Sequence, residues 1–334
     1  MEQGLKVKLE QALAHVFGSA KPLFVTDSID IASWLKSHAI GAFLLDEVAD
    51  LPKHRRKNIV LLPTTGNGLS FFKLERLFKS SRVLIVPLVA FDPSFEAAKY
   101  TVKLIASSDF AAATKENNRW ISVLENSDIK RLVFKGMYGE LEVILKERLD
   151  LMLPRTQAGL LPGEWEAIGM FFEIAMIPDN EDFFHPGFLV NGEVTVPGVA
   201  IAHHRIMPEP LTILPKRAWE LLGGLVRDGR FPLSVTIENS QVKQVRSSDG
   251  TNLTDEIAEL SNPQLELMLV EMAISNNPGL EASELDWSVN SVLNEGARGI
   301  HFAVGDGVTG AHIDSFVCYL ITPLQPSSGA PDYE

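Results

Sequence analysis

A chain of 334 residues that is 46% hydrophobic and 22% charged carries enough apolar material for a large core, which excludes a disordered, collagen-like or repeat-built protein. Thirty Lys and Arg against 43 Asp and Glu leave a formal charge of −13, which repels a phosphate backbone and removes nucleic acid from the expected partners. No apolar run reaches the roughly 18 residues of a spanning helix. The stretch Met1 to Lys8 has no basic-then-apolar leader pattern, and the single cysteine, Cys318, has no partner for an internal disulfide, so no membrane and a cytoplasmic location are expected.

In chain order, short β-rich runs first alternate with helical spacing. Strands are predicted at Pro22 to Thr26, Gly41 to Leu45, Asn58 to Pro63 and Arg82 to Ala90. Helices are predicted between them at Ser28 to His38 and Leu69 to Ser80, with Asp27 and Ser70 as caps. Beyond residue 136, Val, Ile and Phe come in short stretches broken by Gly, Pro and Asn, the texture of antiparallel sheets. Phe231 to Glu238 and Gln241 to Arg246 alternate with period two around Asn239-Ser240 and predict a hairpin. Two further helices are predicted, Pro215 to Arg227 and Pro263 to Ser275, the second with Asn262 as cap and Pro263 in the first helical position. The expected fold class is α/β plus α+β. A small N-terminal α/β domain over residues 1–135 precedes a larger β-rich α+β domain over 136–323 that carries the cleft, and residues 324–334 form a disordered tail.

The chemistry concentrates near the C-terminus, in Gly299-Ile-His-Phe-Ala-Val-Gly305 and His312-Ile-Asp-Ser-Phe-Val317. Residues two apart on a strand share a face, so His312 and Asp314 point one way while Ile313 and Ser315 point the other. The Gly-rich interval Asp306 to Ala311 is short enough to close a hairpin, which brings His301 on the neighbouring strand toward the same point. Two imidazoles and a carboxylate suit zinc, manganese or ferrous iron. The same spacing also suits a hydrogen-bonded structural pair.

Several segments, taken in order, resemble the metallo-aminopeptidase and dihydroxypyridine dioxygenase superfamily. Phe171-Phe-Glu-Ile-Ala-Met-Ile-Pro178 resembles its "gly-glu-val-phe-x-ala-pro" signature, Ser283-Glu-Leu-Asp-Trp its "ala-glu-leu-gly" element, and His301-Phe-Ala-Val-Gly305 its "his-ile-ala-leu-gly" segment. Asn294-Glu295 falls at the acidic position before that last segment, and Gly310-Ala-His-Ile-Asp314 at the closing "his-x-asp". The resemblance spans roughly residues 140 to 322. It implies a divalent-metal site of Glu173, Glu284, Glu295, His301, His312 and Asp314, with Glu284 or Glu295 as general base, and a homodimer. The chain departs from the pattern too: no tyrosine stands in Asp306 to Ala311, where the aminopeptidases carry one, and Phe172 replaces a usual glycine. Three readings follow: a metallohydrolase acting on a peptide or amide, a mononuclear iron dioxygenase using His301, His312 and Asp314, and a non-enzymatic protein that binds a peptide or small molecule.

Other features are assigned bland roles. His203-His204 are adjacent and face opposite sides of a strand. Thr65-Gly-Asn-Gly-Leu-Ser70 lacks the lysine of a phosphate loop and reads as a turn, Glu193 as a turn residue, Lys53 to Lys57 as a solvated loop, and Cys318 as packing.

Overall fold

The structure is a computed structural model, and it describes residues 2–18, 21–52, 57–69, 71–126, 128–146, 149–178, 182–204, 206–317 and 320–322. Cys318, the cap position Ser70, most of the Lys53 to Lys57 run and the tail 324–334 lie outside these residues.

The N-terminal part runs α1 (Glu2–Phe17), β1 (Leu23–Thr26), α2 (Ile29–Ser37), β2 (Ala42–Leu44), β3 (Asn58–Leu62), α3 (Phe71–Phe78), β4 (Arg82–Ile85), α4 (Phe95–Ser107) and α5 (Phe110–Leu124). Its strands are parallel and covered on both faces, so β3, Asn58-Ile-Val-Leu-Leu62, is buried throughout rather than alternating. Val60, Leu62 and Leu84 pack with α1 and α4 on one side, while Ile59, Leu61 and Val83 meet Leu74 and Phe78 of α3 on the other. The predicted strand Arg82 to Ala90 stops at Ile85 and gives way to a 3-10 turn, Leu88–Ala90. Pro87 has no N–H to offer a ladder and ends the strand. Ser28, not Asp27, caps α2 by accepting from the Ile31 N–H. Asp27 instead bridges to the end of β3, accepting from the amides and hydroxyls of Thr64 and Thr65. Burial works against charge on Asp27, but the hydroxyls of Thr65 and Thr64, with the backbone amides of Thr64 and Asp27, outweigh it and hold its carboxyl below the usual range.

The C-terminal part continues with β5 (Arg131–Lys135), β6 (Gly139–Leu145), β7 (Asp150–Met152), β8 (Trp165–Ala167), β9 (Glu173–Ile177), β10 (Phe188–Val196), β11 (Gly198–Ala202) and α6 (Ile213–Arg227). It closes with β12 (Leu233–Glu238), β13 (Gln241–Arg246), α7 (Thr254–Ser261), β14 (Leu269–Ser275), β15 (Asn277–Glu281), α8 (Val292–Glu295), β16 (Ala297–Val304), β17 (His312–Val317) and β18 (Leu320–Thr322). β8 returns to the first sheet and extends it to the order β2-β1-β3-β4-β8. The rest forms two layers: an antiparallel sheet β13-β12-β10-β6-β5-β18, and a second sheet β11-β17-β16-β14-β9-β7 with β15 paired to β16. Their facing sides, among them Val143, Val190 and Val235 against Ile274, Phe302 and Ile313, make the largest core. Mixed helix and strand in this arrangement make the fold α/β plus α+β.

The β12–β13 hairpin turns through Asn239 and Ser240, both with positive φ (53° and 61°), the conformation that a two-residue turn between twisted strands requires. The segment Pro263 to Ser275 departs from expectation. Asn262 does cap a turn, accepting from the Gln264 N–H, but only Pro263–Leu265 is helical. Glu266 and Leu267 then take positive φ, and Leu269–Ser275 becomes a strand bonded on both sides, to β16 and β9. Pairing in the centre of a sheet overrides the helical expectation for Leu269 to Ser275. Among the described residues, no helix is long and apolar enough to cross a membrane.

Candidate metal centre

The second sheet has an apolar face toward the largest core and a chemically different one toward the helices of the first half. On β16 the alternation sends Ile300, Phe302 and Val304 into the core and leaves Gly299, His301 and Ala303 on the opposite face. On β17 it sends Ile313 to the core and leaves His312, Asp314 and Phe316 opposite. Register completes the picture. Ala303 pairs with Asp314 on one side and Glu271 on the other, so only a methyl group separates the two carboxylates. His301 pairs with Ala273, which pairs with Ala175, and Ser275 pairs with Glu173. Small residues thus alternate with chemical ones across this face of the sheet. Glu295 enters from above, at the end of α8.

The distances define one cluster. His301 Nε2 lies 3.4 Å from Glu271 Oε1 and 4.0 Å from both Glu173 Oε2 and Asp314 Oδ1. His312 Nε2 lies 3.1 Å from Asp314 Oδ1 and 3.6 Å from Glu271 Oε2. The side chains of His301 and Asp314 are 2% and 3% exposed, whereas Glu271 and His312, at 15% and 20%, form the side nearest to solvent. The outer nitrogen of His312 is fixed by the backbone: its Nδ1 is 2.8 Å from the Gly305 carbonyl, which can only accept, so Nδ1 carries the proton and Nε2 faces the carboxylates. Gly305 has φ +81°, and a Cβ there would stand 2.0 Å from the Ala311 carbonyl, so only glycine makes this bend.

Burying charge at this density costs several kcal/mol per ion unless partners offset it, and the proton affinities register the strain. Burial, with the neighbouring carboxylates, pushes Glu173 up to about 7 despite the imidazole of His301 nearby. Burial, then Asp314 and Glu173, push Glu295 well above the ordinary carboxyl range. Burial opposes charge on the imidazoles, yet Glu271, Asp314 and Glu173 outweigh it at His301 and hold it at about 9. Asp314 and Glu271 do the same for His312, at about 10. Asp314 is held below its usual range against burial, chiefly by His312. Protons therefore hold the cluster together where a cation could.

Whether the donors suit a divalent cation can be judged from the oxygens left over. Glu173 Oε2, Glu295 Oε1 and Asp314 Oδ2 are buried with no N–H or hydroxyl donating to them, and Glu295, which keeps its proton, shares it with Asp314. Imidazole Nε2 and carboxylate oxygen are the donor types that zinc, manganese and ferrous iron accept. As the side chains stand, no group of three or more His, Cys, Asp or Glu among the described residues is arranged to hold an ion. The fit is one of chemistry and placement, with the contacts now taken up by ion pairs.

Of the residues predicted from sequence, Glu173, Glu295, His301, His312 and Asp314 come together. Glu284 does not: it is exposed at the end of a 3-10 turn, Ala282–Glu284, that leaves the sheet after β15. Glu271 stands in the cluster instead, on the strand whose sequence suggests a helix. Its one legible signal is that Glu271, Ala273 and Ser275 are the small or polar members of an otherwise apolar alternation. The pair His203-His204 follows β11 as a connection rather than a strand, its amides donating to Ala90 and Gly307 carbonyls.

The chain is similar in structure to AmpT from Thermus thermophilus, with 15% identity, a TM-score of 0.45, and coverage of 97% of this chain and 98% of that one. It is similar at the same TM-score to 2,5-dihydroxypyridine dioxygenase from Pseudomonas putida KT2440, with 12% identity and coverage of 95% and 92%. A search of curated proteins gives no match. The family model described as crocagin biosynthetic protein CgnE/B matches residues 19–324, which takes in every member of the cluster, and the chain belongs to that family.

Proposed function

We propose that this chain holds divalent metal at Glu173, Glu271, Glu295, His301, His312 and Asp314, and hydrolyses a peptide or amide bond as a crocagin biosynthetic protein. The observation that supports the reading is the meeting of the Nε2 atoms of His301 and His312 with carboxylate oxygens of Glu173, Glu271 and Asp314, all within 4.0 Å. A divalent cation, when bound, polarises a carbonyl oxygen and acidifies a bound water. The chain supplies the rest. Glu295, at the end of α8, is the carboxylate that would take a proton from that water where it is not itself bound to the ion. Glu271 takes the part that the sequence suggested for Glu284, between both imidazoles on the side nearest to solvent. An iron dioxygenase needs only His301, His312 and Asp314, and gives Glu173, Glu271 and Glu295 a structural part rather than that of ligands.

One second reading has an observation of its own. The centre is nearly closed, His301 being 1% and Asp314 2% exposed, and Asp306 to Ala311 contain no tyrosine to meet a substrate carbonyl. Cavities of about 430 and 250 Å³ open elsewhere, beside Trp34 and Lys103 and beside Met137 and Phe231. A protein that binds a peptide or small molecule without turnover fits these facts. The two readings separate on release of amino-terminal residues from short peptides by the full chain with zinc, manganese or cobalt added. Hydrolysis predicts turnover that a chelator removes and that Glu295→Gln lowers by roughly 100-fold or more. Peptide binding with no release under any of the three metals would favour the second reading.

A further inference from the structure

Ser275 sits where two members of the centre meet. It is fully buried on β14, its hydroxyl donates to the main-chain carbonyl of Glu295, and its oxygen lies 3.2 Å from Nδ1 of His301. A serine hydroxyl has one proton, and a carbonyl can only accept. With that proton committed to Glu295, the oxygen can take part with His301 only as an acceptor, so Nδ1 must carry a proton. Nε2 is then the nitrogen presented to Glu271, Glu173 and Asp314.

We propose that Ser275 is a positioning residue of the centre, one hydroxyl holding Nδ1 of His301 outward so that Nε2 faces the carboxylates, while tying the end of α8 so that Glu295 turns inward. The inference rests on the metal-site reading above and deepens it: metal-binding histidines depend on an acceptor at their outer nitrogen for both aim and basicity. His312 receives that acceptor from the Gly305 backbone, beyond the reach of side-chain substitution. His301 receives it from a side chain. Packing alone does not account for a hydroxyl here, because Ser275 lies between Gly299 and Glu173 in the register, and alanine would fill the strand position without a polar group to satisfy.

The trial uses the full chain with Ser275→Ala, which removes the hydroxyl, and Ser275→Thr, which keeps it. In metal-free protein labelled with 15N-histidine, a slowly exchanging, low-field Nδ1 proton is expected, identified by its absence in His301→Gln. It should survive in Ser275→Thr and disappear or exchange rapidly in Ser275→Ala. Zinc affinity, read by competition with a chromophoric chelator, should fall about 10- to 100-fold in Ser275→Ala and return to within a few-fold in Ser275→Thr. Should the added methyl of threonine prevent folding, the Ser275→Ala comparison alone decides. An Ala variant that keeps the proton signal, with zinc affinity within twofold of the parent, overturns the proposal, and so does a loss of thermal stability with the signal intact. If the parent chain binds no zinc, the metal reading fails, while the proton signal still settles the role of Ser275.

Discussion

Replacing His312 with alanine is expected to weaken zinc or manganese binding by more than about 100-fold, beyond the loss seen when only an outer-sphere partner is removed, while the metal-free fold persists. His312 opens β17 and its side chain is 20% exposed, so its removal opens a space that water can enter rather than a sealed void. Its loss frees Asp314 and Glu271 of a cationic neighbour at 3.1 and 3.6 Å, which costs the metal-free protein something but leaves the Ile313 and Val317 side of β17 in the core. His301→Ala is the poorer trial, because that ring is 2% exposed and its removal would disturb packing as well as chemistry. The measurement pairs a competition titration with a thermal melt in the absence of metal. An unchanged affinity at an unchanged melting temperature would remove His312 from the site.

The metal-free protein should be less stable at pH 9 than at pH 6, with a Tm lower by at least several degrees. The sign follows from groups whose folded proton affinity is raised. Glu173 rises from 4.5 to about 7, and His301 and His312 from 6.5 to about 9 and 10. Each binds a proton more tightly folded than unfolded, so the stability it confers is complete below its unfolded value and is lost as pH climbs through the folded one. Asp314 has the opposite sign, but its contribution changes only below the ordinary aspartate range, outside this window. Divalent metal must displace these protons, so the stabilisation by a fixed zinc concentration should grow from pH 6 to pH 9 and offset the fall. Melting curves at the two pH values, with and without zinc, test both slopes. A metal-free Tm that rises with pH would contradict the arrangement of charges described here.

Where local rules and tertiary structure agree, the chain could be read directly. The alternation in Gly299 to Val304 and His312 to Val317 places His301, His312 and Asp314 on one face because a strand allows no other arrangement, and the Gly-rich interval forces the two strands to be neighbours. The Asn239-Ser240 turn is legible for the same local reason. Glu271 was hidden because Pro263 and its Asn262 cap begin a real helical turn, and nothing in Gln264 to Met268 says that it ends after one turn. That information lies in β16 and β9, which need a strand between them. Glu284 looked suitable through its Glu-Leu neighbourhood, a pattern that carries no information on which way the chain leaves β15. Asp27 reads as a helix cap until the end of β3 is brought beside it, and β8 joins the first sheet from far along the sequence. Contacts distant in sequence account for all of these differences.

A cation site and a self-satisfied knot of ion pairs differ in how many metal ions the chain retains. Native mass spectrometry of the full chain, purified without chelator and then titrated with zinc, counts the ions directly. One or two zinc ions per chain are expected in the parent and none retained in Asp314→Ala at the same concentration. A parent chain that stays metal-free throughout the titration would mean that protons alone balance the buried carboxylates.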